Sequence, residues 1–135
     1  MSNQISFFIP GQPIPKGRPK FFNRGNYVGV YTPVKTKDYQ NHIIDHSLKY
    51  KPHGLIKCAI IMNLDFILPR PKSLPKKFIH HIKRPDLDNY IKCVLDALNK
   101  VFYQDDSQIV QLNATKQYGE SVGVHIRIKP IPSVI

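Results

Sequence analysis

Every even position from Ile56 to Leu68 is apolar: Ile56, Cys58, Ile60, Met62, Leu64, Phe66 and Leu68, with Lys57, Asn63 and Asp65 among the odd ones. A period of two puts one strongly apolar face on a long strand. Ile5, Phe7 and Ile9 alternate in the same way and predict a first strand that stops at Pro10-Gly11. Between Pro10 and Pro19 the prolines lack amide donors and the glycines permit unusual backbone angles, so this stretch reads as a loop carrying Lys16, Arg18 and Lys20. Phe21-Phe22 and Tyr27 to Tyr31 then predict a hairpin about the basic turn Asn23-Arg24-Gly25-Asn26.

The period changes twice to that of a helix. After Pro33, Thr36 is expected to cap a helix of roughly fifteen residues. Its inner stripe would be Tyr39, Ile43, Ile44, Ser47, Leu48 and Tyr50, with Lys37, Asn41, Asp45 and Lys49 outside. From Leu87 to about Phe102, Ile91, Val94, Leu95, Leu98, Val101 and Phe102 form an apolar stripe, while Asp88, Lys92, Asp96 and Asn99 line a polar one. Two final strands fit Ile109 to Gln117 and Val122 to Ile128, turning at Tyr118-Gly119-Glu120-Ser121, and Pro130-Ile131-Pro132 is expected to end the sheet. Strands, helix, strand, helix, strands predict an α+β (mixed α/β) fold. It would be one domain over residues 1–135, a mixed and mostly antiparallel sheet with two main helices packed on one face.

Composition narrows the class. With 135 residues, 41% hydrophobic and 21% charged, the chain suits one soluble globular domain. No apolar run reaches the roughly 18 residues of a spanning helix, so no membrane partner is expected. The start Met1-Ser2-Asn3-Gln4 lacks a signal-peptide pattern. Cys58 and Cys93 sit in apolar contexts and lack zinc-site spacing, which favours a reduced, cytoplasmic protein. His80-His81 would point to opposite faces and His42 and His46 share a helical face, but none has a convincing metal-binding partner.

Charge changes the picture most. The formal net charge is +11, yet five of the nine acidic residues, Asp86, Asp88, Asp96, Asp105 and Asp106, fall in one short stretch. Neighbouring carboxylates raise one another's pKa values unless something offsets them, and a hard divalent cation held by aspartate oxygens is such an offset. The basic remainder suits a polyanion such as nucleic acid, bound through phosphates with strong salt dependence. Pro85 biases Arg84 toward an extended backbone, so Asp86 falls at or near a helix N-cap with Asp88 one turn in. A plain reading competes: Asp86 as a cap, Asp88-Lys92-Asp96 as a surface ion-pair ladder, Asp105-Asp106 as a turn. Convergence of these groups in a chain so poor in acids favours chemistry, specifically a metal-dependent enzyme acting on phosphodiesters.

Arg84-Pro85-Asp86-Leu87-Asp88-Asn89, continued by Lys92, Asp96-Ala97-Leu98 and Asp105-Asp106, resembles the signature of the RusA family of Holliday-junction resolvases. Gly11-Gln12-Pro13-Ile14-Pro15-Lys16-Gly17-Arg18-Pro19 with Tyr31-Thr32-Pro33 resembles that family's early region. The resemblance implies a homodimeric, magnesium-dependent endonuclease, with manganese as a possible substitute, making paired cuts in branched DNA, the four-way junction of recombination and repair. No small-molecule cofactor is implied. Matched motif to motif, the essential acids fall on Asp86, Asp88 and Asp106 and the functional lysine on Lys92. The metal set is Asp86, Asp88, Asp105 and Asp106, with the key acid of the last pair left open. Pro85 stands where the family carries a basic residue, so positive charge there rests on Lys83 and Arg84.

Around the acids, Lys16, Arg18, Lys20, Arg24, Arg70, Lys72, Lys76, Lys77, Lys83 and Arg84 are candidate phosphate contacts that position DNA without reading its sequence. Phe21, Phe22, Tyr27 and Tyr31 fit core or dimer packing better than stacking on bases. Two rival readings stand beside the resolvase: a metal-dependent nuclease for forks or flaps, and a non-catalytic basic DNA- or RNA-binding module.

Overall fold

The alternating segment forms strand β4 (Ala59–Leu68), whose even-numbered side chains are buried and whose odd-numbered ones are half-exposed. The strand begins at Ala59 rather than Ile56, because Ile56 leaves the sheet to bridge to Tyr103. The computed structural model describes residues 4–18 and 20–132. The expectations for Met1-Ser2-Asn3 and for Pro19 of the basic loop lie outside the described residues.

Strands β1 (Ile5–Pro10), β5 (Ile109–Tyr118) and β6 (Gly123–Ile131) complete a four-stranded sheet of order β1-β6-β4-β5. β6 runs antiparallel to both β1 and β4, while β4 and β5 are parallel. The parallel pair demands a long crossover, and helix α2 (Leu87–Leu98) lies in it. Helix α1 (Val34–Ser47) packs against α2. Tyr39 and Ile43 of α1, Tyr90, Cys93, Val94, Ala97 and Leu98 of α2, and the buried residues of β1, β4 and β6 share one hydrophobic core. The fold is therefore α+β, with a mixed and mostly antiparallel sheet, as the periodicities predict.

Further local expectations are corrected. Thr36 does not cap α1. Pro33 takes that place, since the position ahead of the first turn needs no amide donor. Thr36 lies inside the helix, where its hydroxyl accepts the Gly17 amide at 2.9 Å and donates to the Pro15 carbonyl at 3.3 Å. Leu48 leaves the inner stripe for an exposed 3₁₀ turn (Leu48–Tyr50), although the Tyr50 ring still stacks on Phe7. Helix α2 stops at Leu98 rather than Phe102, because Lys100 adopts a left-handed conformation (φ 67°) and reverses the chain. Phe102 is fully buried all the same, delivered by that reversal.

The last strands turn where predicted but are not neighbours: β4 lies between them. The connection after Tyr118 arches over the end of β4, with the Gly119 amide on the Leu68 carbonyl at 3.1 Å. A Cβ on Gly119 would sit 2.6 Å from Ile67 Cγ2, so the arch is tight enough to require glycine. Finally, β6 continues through Pro130 to Ile131. Pairing with β1 ends at Ile5–Ile128, so β6 has a neighbour on one side only beyond that point, where proline is tolerated.

The predicted hairpin forms as β2 (Lys20–Arg24) and β3 (Tyr27–Tyr31), a separate two-stranded sheet. Its turn narrows to Gly25-Asn26, with Gly25 at φ 60°. Phe21, Phe22, Tyr27 and Tyr31 are all exposed, Phe21 to 73%, so none belongs to the core of this chain. Among the described residues, no helix is long and apolar enough to cross a membrane.

Candidate active site

Asp86 is the N-cap residue of α2, in extended backbone (φ −70°, ψ 148°), but its side chain makes no capping hydrogen bond. Its carboxylate is exposed and not occupied by the task that a plain cap performs. Asp88, in the first helical turn, is also exposed. Neither has an ion pair among the described residues. One turn beyond Asp88, Lys92 reaches Asp96 Oδ1 at 3.3 Å and Asp106 Oδ2 at 3.7 Å. These carboxylates hold the Lys92 ammonium above its usual pKa, Asp96 more than Asp106.

The approach of Asp106 has a traceable cause. After the reversal at Lys100, the Tyr103 hydroxyl donates to the Leu95 carbonyl at 2.7 Å, folding the chain back along α2. Ile56 and the Phe102–Gln104 segment exchange backbone hydrogen bonds of 2.9 and 3.3 Å. The Gln108 side chain donates to the Ile56 and Cys58 carbonyls at 2.8 and 2.9 Å, tying this segment to the lead-in of β4. Asp105 and Asp106 are thereby given different work. The Asp105 carboxylate accepts the Ser107 amide in a capping box that begins the short Asp106–Gln108 turn, and the Ser107 hydroxyl, then its amide, lower the Asp105 pKa. Asp106 faces Lys92 instead.

The proline-punctuated loop is strapped across the same helix. The Lys16 amide bonds the Asn89 carbonyl at 2.9 Å, and the Lys16 ammonium pairs with Asp96 Oδ2. Arg18, Arg84, Pro85, Asp86 and Asn89 line an open, polar cleft of about 410 Å³. Cys93, on the buried side of α2, has its thiol pushed up to about 12 by burial and then by Asp96, which makes it an inert packing group.

Among the described residues, no three His, Cys, Asp or Glu side chains come close enough together to form a complete metal cage. Magnesium asks for less: one or two carboxylates with substrate phosphates and waters commonly suffice. The hard oxygen donors Asp86 and Asp88, bound by no cap bond or ion pair, fit that chemistry.

The family model described as endodeoxyribonuclease RusA matches residues 10–129. The chain belongs to the RusA endodeoxyribonuclease family. It is 31% identical to the uncharacterized protein YqaN of Bacillus subtilis (strain 168), over 94% of this chain and 96% of that one. It is also 45% identical to the crossover junction endodeoxyribonuclease rusA of Lactococcus phage r1t, over 36% of this chain and 37% of the phage protein.

The span matched to RusA contains every candidate basic residue, and the structure gives these unequal surroundings. Arg18 and Arg84 face the cleft beside Asp86. Lys20, Lys72, Lys76, Lys77 and Lys83 are exposed, Lys77 lying over the Phe78 ring. Arg24, at the hairpin tip, lies over the Phe22 ring at 5.9 Å. The guanidinium of Arg70 is engaged within the protein: it donates to the Pro75 and Phe78 carbonyls and stacks over Tyr118. Lys16 is paired with Asp96 rather than presented alone.

Sequence reasoning misses Lys116. Its ammonium, on β5, donates to the Lys83 and Pro85 carbonyls at 2.7 and 2.8 Å and so fixes the approach to Asp86. The only signal was a lysine in a strand. Among the histidines, His42 bonds the Pro10 carbonyl and His46 the His42 carbonyl. His81 packs on Tyr118, with its pKa lowered by burial and by Lys116.

Proposed function

We propose that this protein is a magnesium-dependent, homodimeric endonuclease that resolves four-way DNA junctions in recombination and repair, with manganese able to substitute. The observation that carries the reading is the meeting of Lys92 with Asp106 on the helix that begins at Asp86 and Asp88, beside a cleft lined by Arg18 and Arg84. Family membership supplies the class of reaction.

In this reading Asp86 and Asp88 would hold the metal with substrate phosphate and waters, Asp106 would join them once the metal is bound, and Asp105 caps the turn that presents Asp106. When bound, magnesium supplies charge neutralisation at the phosphate and a more acidic water. Arg18 and Arg84 anchor the phosphates flanking the scissile bond through charge-assisted hydrogen bonds. Lys92 offers a fixed positive charge where negative charge develops on the phosphoryl oxygens. Exposed Lys20, Lys72, Lys76, Lys77 and Lys83 hold the junction arms. A closed dimer matches the two-fold symmetry of a four-way junction, with one site for each of two symmetric strands.

The decisive experiment incubates the protein with a labelled mobile four-way junction, a fork, a flap and linear duplex, with and without Mg²⁺. Paired nicks in the junction, present only with the metal, are expected. Preferential cutting of forks or flaps would move the assignment to the rival nuclease, and metal-independent binding without products would leave a binding module.

The role of the loop is tested separately. Lys16→Ala with Arg18→Ala is expected to weaken junction binding and to flatten its salt dependence. Arg18 would provide most of the change, about one unit of slope for each phosphate no longer neutralised. An unchanged slope would show that the loop does not touch phosphate.

A further inference from the structure

We propose that Asp96 is a positioning residue for the cleavage reaction: a shared carboxylate that aims Lys92 at Asp106 and joins it to the basic loop. The proposal builds on the reading of Lys92 and Asp106 as parts of the nuclease site.

Asp96 divides its two oxygens between two cations. Oδ2 takes Lys16 from the loop, and Oδ1 takes Lys92 from the same helix at 3.3 Å. Lys92 in turn reaches Asp106 at 3.7 Å, so cations and carboxylates alternate in the order Lys16, Asp96, Lys92, Asp106.

The need for such a brace follows from Lys92 itself. Its side chain is 53% exposed, and a long lysine side chain loses much rotamer freedom when fixed. A single exposed pair with Asp106, at 3.7 Å, is too weak to hold one rotamer. Asp96 is only 23% exposed and sits on α2 between half-buried Leu95 and buried Ala97, so its own place is set by packing. The second cation is fixed as well, because the Lys16 amide is bonded to Asn89 on the same helix. A carboxylate pinned between two anchored partners can order a lysine that a lone pair would leave mobile.

The arrangement also links two functions. The loop that brings Arg18 to the phosphate-facing cleft is joined through Lys16 and Asp96 to the lysine opposite Asp106. No other carboxylate among the described residues pairs with Lys16.

Two measurements decide the matter. Limited reductive methylation with peptide mapping reads lysine reactivity in the protein without DNA or metal. Lys16 and Lys92 should react more slowly than exposed Lys72, and Asp96→Asn should raise both rates several-fold without altering Lys72. Single-turnover junction cleavage in Mg²⁺ then reads the effect on chemistry. Asp96→Asn should slow it about 10- to 100-fold, the range seen when the partner of a catalytic group is removed. Junction affinity should stay near wild type or rise, since Lys16 is released. In a Lys92→Met background the same substitution should change the rate less than about two-fold, because the two residues act as one unit. Asp96→Glu should restore slow labelling of Lys92 and most of the rate.

Unchanged labelling of both lysines overturns the proposal, as do independent, multiplicative losses in the Asp96 and Lys92 variants. Wild-type protein that cuts no junction would instead sink the nuclease reading beneath it. The two failures are distinct, because in the first the wild type still cuts the junction.

Discussion

Asp88→Asn should yield a protein that still binds a four-way junction and no longer cuts it. The substitution keeps the shape of the side chain and removes its charge. Asp88 is exposed and has no ion pair among the described residues, so no internal partner is orphaned. The cost to the fold is limited to the loss of an acid in the first turn of α2, about 0.3–1 kcal/mol. The cost to chemistry is far larger, because the site loses charge where cation and phosphate must meet. A fall of about a thousand-fold in single-turnover rate is expected, comparable with removing one preorganised charge-stabilising group. Binding should hold or tighten, since a negative charge near phosphate has gone. Full cleavage by this variant in magnesium would refute the assignment of Asp88.

Phe66→Ala should be the most damaging change to stability. Phe66 is fully buried in β4, and its ring meets that of Tyr90 at 5.4 Å on the inner face of α2. Truncation leaves a cavity that the flanking strands β5 and β6 cannot collapse into, because both are hydrogen-bonded to β4 along their length. A loss of about 3–5 kcal/mol is expected, measured as a shift in the urea midpoint. A typical domain has about 5–15 kcal/mol in all, so the variant would stand near the edge of folding. Because Tyr90 follows Asp88 and Asn89 directly, activity in the surviving folded fraction should fall too. A midpoint close to wild type would mean that the sheet and α2 do not share the core described.

Much of this architecture was legible because its signals are local. The alternation of β4 needs only thirteen consecutive residues, Ile56 to Leu68, to declare a buried face. Pro85 and Asp86 mark the start of α2 by backbone restriction, and the helix begins at Leu87. The failures occur where a distant partner decides. Thr36 has the chemistry of a cap, but Pro15 and Gly17 claim its hydroxyl from inside the helix. The end of α2 could not be read from Lys100, because left-handed backbone at a non-glycine residue carries no sequence mark. The turn at Tyr118–Ser121 was legible, yet nothing local states that β4 passes beneath it.

The site divides along the same line. Asp88 and Lys92 are fixed relative to one another by helical spacing, with Asp86 at the N-cap just ahead of them, and that order was readable. The pairing of Lys16 with Asp96 spans 80 positions and has no local sign. Asp105 and Asp106 are adjacent and chemically identical in sequence. Only the capping box on one and the lysine opposite the other tell them apart.

The Lys116 anchor has a practical consequence for anyone wishing to decorate this protein. The segment that follows β4 is stapled shut before it reaches the acids: the Tyr118 amide holds the Ile79 carbonyl, His81 bonds to Lys116, and the Lys116 ammonium clasps Lys83 and Pro85. The exposed stretch around Lys72 and Ser73 lies upstream of all these fasteners. A fluorophore or a short graft inserted there would be insulated mechanically from the carboxylates, making that bend a natural handle for watching the protein engage its substrate.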